Sequence, residues 1–229
     1  MDIVFVNKVG AASTDSNAVT TGPIDMTGAN FLVAVTTIFN TTAVDKMSDS
    51  QSNTWTGLTI YSVVSGLIKF QILYAKNASV SSSQTFTLGA AVTYPALEVY
   101  GFSGVDTTAP ADVENGASEQ AGPDTHQPGS ITPSASNALI IIGYTGTDTG
   151  AAPTIDSGYT SPMEFFQWSA GATDSVSGSY LIHTSGAINP TASKVGSGTV
   201  AIGTAAFLAA TGGAAATLRQ WRMGSLGVQ

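Results

Sequence analysis

Short apolar runs rich in Val, Ile, Thr, Phe and Tyr recur along the chain, separated by clusters of Gly, Pro, Asn, Asp and Ser. Neighbouring runs begin about ten residues apart, which is typical of β-sandwiches and barrels, and helical periodicity is scarcely visible. We therefore predict an all-β fold of about ten strands. The predicted strands cover residues 3–6, 31–39, 55–64, 68–75, 85–88, 96–102, 138–144, 163–168, 178–183 and 199–208.

Several predicted strands are apolar at consecutive positions rather than at alternate ones, as in the Leu-Ile-Ile-Ile run of residues 139–142. Such strands are expected to be covered by protein on both faces. The sequence also repeats itself faintly, because residues 29–35 resemble residues 136–142 at an offset of 107 and other elements keep nearly the same offset. The chain is therefore expected to contain two similar halves.

Two similar halves favour one jelly-roll-like β-sandwich over two separate domains, because two facing sheets of four or five strands cover each other's apolar faces. We predict a single domain over residues 1–210, with half one at 1–106 and half two at 134–210. The segment 107–133 is rich in Pro, Gly and acids and is predicted to be the connecting loop. Short arms are expected at both ends, and residues 211–229 are predicted to be a C-terminal docking arm.

Charge and composition narrow the possible partners. Hydrophobic residues make up 43% of the chain and charged residues 10%, which argues for an ordered protein rather than a disordered one. The formal net charge is −8, and no basic residue lies between Lys76 and Lys194. Nucleic acid would be repelled by this region, so we expect no nucleic-acid partner.

The sequence also bears on location. The chain has no cysteine, which fits a protein made in a reducing bacterial cytoplasm. Residues 1–8 carry an acid where an export signal needs basic residues, and the uncharged stretch 199–218 has too many glycines for a transmembrane helix. We expect neither Sec-type export nor a membrane partner.

Two motifs resemble a known group of proteins. Residues 48–55 read Ser-Asp-Ser-Gln-Ser-Asn-Thr-Trp, and residues 100–106 read Tyr-Gly-Phe-Ser-Gly-Val-Asp. Together with the apolar strand after the Gly-Ala-Asn turn, they resemble β-sandwich proteins of phage structural modules. The resemblance covers residues 25–210 and departs from the usual pattern at Ser52, where a Gly is usual. It implies a jelly-roll-like domain that serves as a capsid decoration protein, a head spike or fibre, or a tail-associated protein.

Catalytic patterns are scarce in the sequence. The two histidines, His126 and His183, lie in different contexts, and the usual hydrolase, zinc-protease and nucleotide-binding motifs are absent. We predict that the chain is not an enzyme. A glycosidase with paired carboxylates stays open, because two acids come together only in the fold.

Oxygen-bearing and aromatic side chains allow two further hypotheses. Asp49, Gln51 and Asn53, with Asp45 upstream, could gather calcium, but the same residue types form turns, so we expect no metal and no other cofactor. Aromatic side chains could stack on a sugar, although most are expected in the core or in subunit interfaces. These aromatics are Trp55, Tyr61, Tyr74, Tyr94, Tyr100, Tyr159 and Trp168.

The C-terminal arm is the predicted partner-binding site. It combines cationic and large apolar residues of the types that carry interface energy, in a segment too short to build its own core. The predicted contact residues are Arg219, Trp221, Arg222, Met223 and Leu226. The alternative is that the arm packs back on its own sandwich.

The function hypothesis that follows is a virion structural protein, acting as a capsid decoration or head-spike protein through protein–protein contacts. Its expected partners are copies of itself in a homo-oligomer such as a trimer, and the major capsid protein or another virion protein. Its expected location is the phage particle, after assembly in the bacterial cytoplasm. The alternative is a tail-associated host-recognition module that binds cell-surface glycan.

Overall fold

The computed structural model describes residues 1–13, 18–39, 46–63, 66–89, 93–120, 124–147, 153–156, 158–159, 166–169, 173–193 and 198–211. All regular structure in these ranges is β-strand, arranged in four antiparallel sheets. The predicted all-β, sandwich-type class is therefore confirmed, whereas the jelly-roll connectivity stays a prediction.

The first eight strands form two sheets. They are β1 (Val4–Ala12), β2 (Val19–Thr20), β3 (Phe31–Phe39), β4 (Met47–Asp49), β5 (Thr56–Val63), β6 (Ile68–Lys76), β7 (Phe86–Leu88) and β8 (Thr93–Ser103). One sheet has five strands in the order β1-β8-β3-β6-β5, and the other has three in the order β2-β7-β4. We refer to β1–β8 as the first half of the chain.

The next eight strands repeat this arrangement. They are β9 (Ala111–Gln120), β10 (Thr125–His126), β11 (Ala138–Thr147), β12 (Thr154–Ile155), β13 (Phe166–Ser169), β14 (Thr173–His183), β15 (Ala192–Ser193) and β16 (Val200–Phe207). Their sheets have the orders β9-β16-β11-β14-β13 and β10-β15-β12. Each strand of this second half thus occupies the place of the strand eight positions earlier, so the faint sequence repeat reflects a repeated topology.

The four sheets are stacked in layers. The two five-stranded sheets face each other across a shared core to which both halves contribute, including Phe31, Phe70, Leu139 and Phe207. Each three-stranded sheet covers the outer face of its own half over a separate apolar cluster. The central strands β3 and β11 are therefore buried on both faces, which explains their consecutive apolar residues. Each half contributes two layers rather than the single sheet that the sequence predicted.

The connecting loop predicted at 107–133 is replaced in large part by strand. Residues Ala111–Gln120 form β9, which pairs with β16, and Thr125–His126 form β10, which pairs with β15. Because β9 lies at a sheet edge and most of its side chains are only half-buried, its sequence has no need of an apolar run. Its acidic and small residues therefore form no hydrophobic pattern from which the strand could be predicted.

The two halves meet in a reciprocal pattern, because β3 contacts β11, β5 contacts β9 and β13 contacts β1. Thr37 and Thr145 occupy equivalent positions on β3 and β11, and their buried hydroxyl oxygens lie 3.0 Å apart in a hydrogen bond. Phe31 is then equivalent to Leu139, since both face the shared core, whereas Ala138 faces outward. The sequence similarity had paired Phe31 with Ala138, and a one-residue slip in a strand exchanges its two faces.

A row of glycines crosses the core face of the second five-stranded sheet. Register places four glycines side by side on adjacent strands. In order across β14, β11, β16 and β9, they are Gly178, Gly143, Gly203 and Gly116. We call these four residues the glycine row.

Side chains of the first half fill the space above the glycine row. A Cβ atom on Gly143 would lie 2.5 Å from Phe70 Cζ and 2.8 Å from Val35 Cγ1. A Cβ atom on Gly116 would collide with the ring of Tyr61, and one on Gly178 would lie 2.7 Å from Val35 Cγ2. The row is therefore a trough in one sheet that receives the bulky side chains of the other.

Candidate functional site

The predicted partner-binding residues lie outside the described residues. They are Arg219, Trp221, Arg222, Met223 and Leu226. Docking by this arm, in trans or onto its own domain, therefore stays a prediction. The structure does describe the point from which the arm departs.

That departure point lies beside the N-terminus. Ala210 donates its backbone N–H to the Gly104 carbonyl at 2.8 Å, and its own carbonyl accepts from the Met1 ammonium group at 3.1 Å. Met1 and Val4 at this end expose 75% and 55% of their surface, although both are apolar. We call this end of the molecule, where Met1, Val4, Gly104 and Ala210 meet, the arm-root end.

A recess lies between edge strands of the two large sheets, where β5 contacts β9. Its lining is mostly apolar, with two carboxylates. The lining residues are Leu58, Ala111, Asp112, Val113, Glu114, Ala205 and Ala206. If the chain had a paired-carboxylate active site, Asp112 and Glu114 would be its candidate residues.

Both carboxylates of the recess hold the fold together. Glu114 accepts the backbone N–H of Thr59 at 3.1 Å and its hydroxyl at 3.0 Å. Asp112 accepts the backbone N–H of Ser134 at 2.7 Å and its hydroxyl at 2.8 Å. Both carboxylates are therefore occupied by N–H and O–H donors of the chain itself, whereas the paired carboxylates of a glycosidase must face the substrate. The arrangement suits strand-edge protection better than acid catalysis.

Strand-edge protection is visible along the same junction. The backbone N–H of Ser62 in β5 donates to the Ser118 hydroxyl of β9 at 3.0 Å, beside the bond from Thr59 to Glu114. Unpaired N–H groups of an edge strand invite pairing with another chain, and side chains that accept them suppress it. Glu114 and Ser118 were not predicted as site residues, because they lie in the segment that the sequence predicts to be a loop.

The Ser48–Trp55 segment is a turn organised by one carboxylate. Asp49 Oδ1 accepts the backbone N–H of Gln51 at 2.8 Å and the side-chain amide of Asn53 at 3.1 Å. Asp49 Oδ2 accepts the indole N–H of Trp55 at 2.7 Å. A cation would need oxygen ligands where these donors point, so the geometry favours the turn interpretation over calcium. Asp45 lies outside the described residues.

Ser52 explains the departure from the motif pattern. Its φ is +58°, in the left-handed region that glycine adopts at no steric cost. Serine adopts this conformation here, and its N–H donates to the Asp49 carbonyl at 3.1 Å. The second motif also ends in a turn, where the Asp106 carboxylate accepts N–H groups of Thr108 and Ala109. These bonds lower the pKa of Asp106.

The candidate sugar-stacking aromatics that can be located pack within the fold. Trp55 packs edge-on against Phe86, and Tyr74 stacks with Phe31. Tyr61, Tyr94, Tyr100 and Tyr159 are buried or half-buried, and the Trp168 side chain lies outside the described ones. The described aromatics therefore form no common exposed platform.

The two histidines have different surroundings. His126 is buried in β10 with its ring centroid 6.1 Å from that of Tyr144, and burial lowers its pKa, with a smaller opposing effect from Asp124. The half-buried His183 ring makes a 3.0 Å hydrogen bond with the Gly186 carbonyl. Within the described residues no group of three His, Cys, Asp or Glu is placed to hold a metal.

The burial of one acidic side chain was not predicted from the sequence. Glu98 is fully buried in the middle of β8, facing the other sheet. A Cβ atom on Gly178 would lie 3.0 Å from Glu98 Oε2 and 2.8 Å from the Tyr100 hydroxyl. The glycine therefore leaves room for two polar groups inside the shared core. The sequence signal was the single charged residue in the apolar run 96–102.

Comparison with known proteins identifies no relative: no protein-family model, no curated protein and no solved structure matches the chain. Across the ranges that the structure describes, no helix is long and apolar enough to cross a membrane.

Proposed function

We propose that this chain is a virion structural protein, a capsid decoration or head-spike protein that acts through protein–protein contacts. The observation that carries the proposal is the role of the polar side chains in the two phage-like motifs. Asp49 and Asp106 use their carboxylates to bind neighbouring N–H groups and fix turns. Motif residues with a structural task fit a protein whose work is to be a rigid building block.

The mechanism is adhesive. The four sheets form the body of the molecule, and the arm-root end presents exposed apolar side chains beside the start of the cationic C-terminal arm. Burial of Trp221, Met223 and Leu226 against a neighbour would supply apolar area, and Arg219 and Arg222 would supply directed hydrogen bonds. The neighbours are copies of this chain, in a homo-oligomer such as a trimer, and the major capsid protein. The virion is the corresponding location.

The test is truncation of the arm. Ending the chain at Thr217 should leave the melting temperature of the sandwich unchanged and abolish binding to phage particles that lack the protein, measured by co-sedimentation. The Arg219→Ala/Arg222→Ala double variant should weaken binding less, because it keeps Trp221. If truncation prevents folding, the arm belongs to its own domain and the docking role is withdrawn.

The effect of salt on binding distinguishes adhesion through apolar contacts from electrostatic adhesion. Contacts built mainly from apolar area should survive moderate salt, because screening acts on exposed charges. Release of the protein from particles by moderate salt would count against the proposal. Specific binding on a glycan array, with no binding to particles, would favour the alternative of a tail-associated host-recognition module.

A further inference from the structure

The contact between the two halves has the character of an interface between separate subunits. Each of the four sheets contains strands of one half only, and each half has an apolar cluster of its own beneath its three-stranded sheet. Between the large sheets, each described hydrogen bond involves at least one side chain, as in the hydroxyl pair Thr37–Thr145 and the bond from the Ser62 backbone N–H to the Ser118 hydroxyl. Among the described residues, backbone pairing between the halves is confined to the arm-root end, where Val105 bridges Ala209.

This interface is complementary although the halves are similar. Three of the four positions in the glycine row are matched by larger residues in the first half. Val35 stands where Gly143 does, and its strand partners Ile72 and Glu98 stand where Gly178 and Gly203 do. The fourth position, Gly116, corresponds to Gly10. Two first halves would bring these larger side chains into collision. Two second halves would face glycine to glycine and leave voids. The shapes therefore specify a first half against a second half.

The covalent link between the halves is one short connection. The end of β8 at Ser103 and the start of β9 at Ala111 are joined by residues 104–110, where the Asp106 turn lies. Thr107, Thr108 and Ala109 in this link are exposed. Shape complementarity thus selects the partner half, and the link alone determines that it comes from the same chain.

We propose that the glycine row is a recognition surface for the first half of this chain, and that it can bind the first half of a second copy through the same contacts as its own. Copies can then be joined by exchanging halves. This inference rests on the proposed function as a self-assembling structural protein, for which it names the partner and the two surfaces. Phe70, Tyr61 and Val35 are the inserted side chains, and the glycine row is their receptor.

Cutting the link tests the recognition. A protease site placed within residues 107–109 allows the folded full-length chain to be cut, and cut samples with and without isotope label can be unfolded in urea, mixed and refolded. Native mass spectrometry should show one first half with one second half in every complex, in a statistical mixture of labels. Gly143→Val should abolish the complex, while Gly22→Val, at a site with no atom within 4 Å, should preserve it.

Shortening the link tests the exchange between intact copies. Deleting residues 107–109 should prevent closure within one chain and double the mass measured by light scattering, whereas a Gly-Ser link of the natural length should leave the mass unchanged. A monomeric or insoluble deletion variant, pairs of like halves, or cut halves that fail to reassociate would overturn the inference. Exchange without particle binding would refute the proposed function alone, because the recognition between halves would stand.

Discussion

Replacing Gly143 by alanine puts a methyl group in the centre of the shared core, where the structure has no room for it. The new Cβ would lie 2.5 Å from Phe70 Cζ, 2.6 Å from Phe70 Cε2 and 2.8 Å from Val35 Cγ1. Both neighbours are fully buried, so neither side chain can swing into solvent. The two sheets must separate locally, or Phe70 must leave its preferred rotamer.

The expected cost follows from two opposing effects. Overpacking of a core by one methyl group typically costs about 1–3 kcal/mol. Alanine also restricts the unfolded chain more than glycine does, which returns about 0.4–1 kcal/mol. We therefore expect a net loss of roughly 1–2 kcal/mol in the free energy of unfolding. For a chain of this length that corresponds to a fall in Tm of roughly 3–6 °C.

The assay is urea unfolding of purified protein followed by circular dichroism, with Gly22→Ala as the matched control. A Cβ atom on Gly22 would meet nothing within 4 Å, and the φ of Gly22 lies outside the left-handed region. The free energy of unfolding of the Gly22→Ala variant should therefore differ from that of the parent by less than about 0.5 kcal/mol. The double variant Gly143→Ala/Phe70→Leu should recover part of the loss, because the smaller side chain makes room.

The reasoning would be refuted by a Gly143→Ala variant as stable as the parent. It would also fail if the costs of Gly143→Ala and Phe70→Leu simply added, since residues in direct contact should show a coupling of about 0.5 kcal/mol or more.

Three other predictions follow from the described contacts. Asp49→Ala should destabilise the chain by about 1–3 kcal/mol in urea unfolding, because the indole N–H of Trp55 loses its acceptor; a rise in Tm on adding calcium to the parent would instead indicate a metal site. Burial lowers the pKa of His126 below 6.5. At pH values just below 6.5, the unfolded chain therefore binds a proton at this histidine more readily than the folded chain does. Stability should therefore fall as pH drops below about 6.5, and His126→Gln should fall less steeply between pH 7.5 and 5.5; equal slopes would exclude this role. Glu114→Ala should cost about 0.5–1.5 kcal/mol and raise thioflavin T binding on storage, because it frees the edge N–H of Thr59; unchanged aggregation would contradict edge protection.

The strands that bury apolar residues could be predicted from sequence, because their hydrophobic runs are long and bounded by turn residues. The edge strand β9 could not, since its side chains are only half-buried and its stability comes from pairing with β16. The outer strands β2 and β10 have two residues each, too few for periodicity to be read. The faint repeat did indicate two halves, but its alignment was one residue out, which in a strand reverses the buried face.

Less of the candidate site could be predicted from the sequence. The turn at Asp49 was predicted correctly, because Asp, Asn and Ser in close succession bind their own backbone. The recess with Asp112 and Glu114 depends on two sheet edges meeting, which no local pattern records. The glycine row is likewise dispersed over four strands, and only register brings Gly116 beside Gly203.

The most direct measurement for the central claim, a rigid self-assembling component of a virion, is quantitative mass spectrometry of purified phage particles combined with cryo-electron microscopy of the same sample. The account predicts the chain in many copies per particle, in fixed ratio to the major capsid protein, with four-layered β density at symmetric surface positions. Its absence from washed particles, or its recovery only as a free monomer in the lysate, would contradict the account.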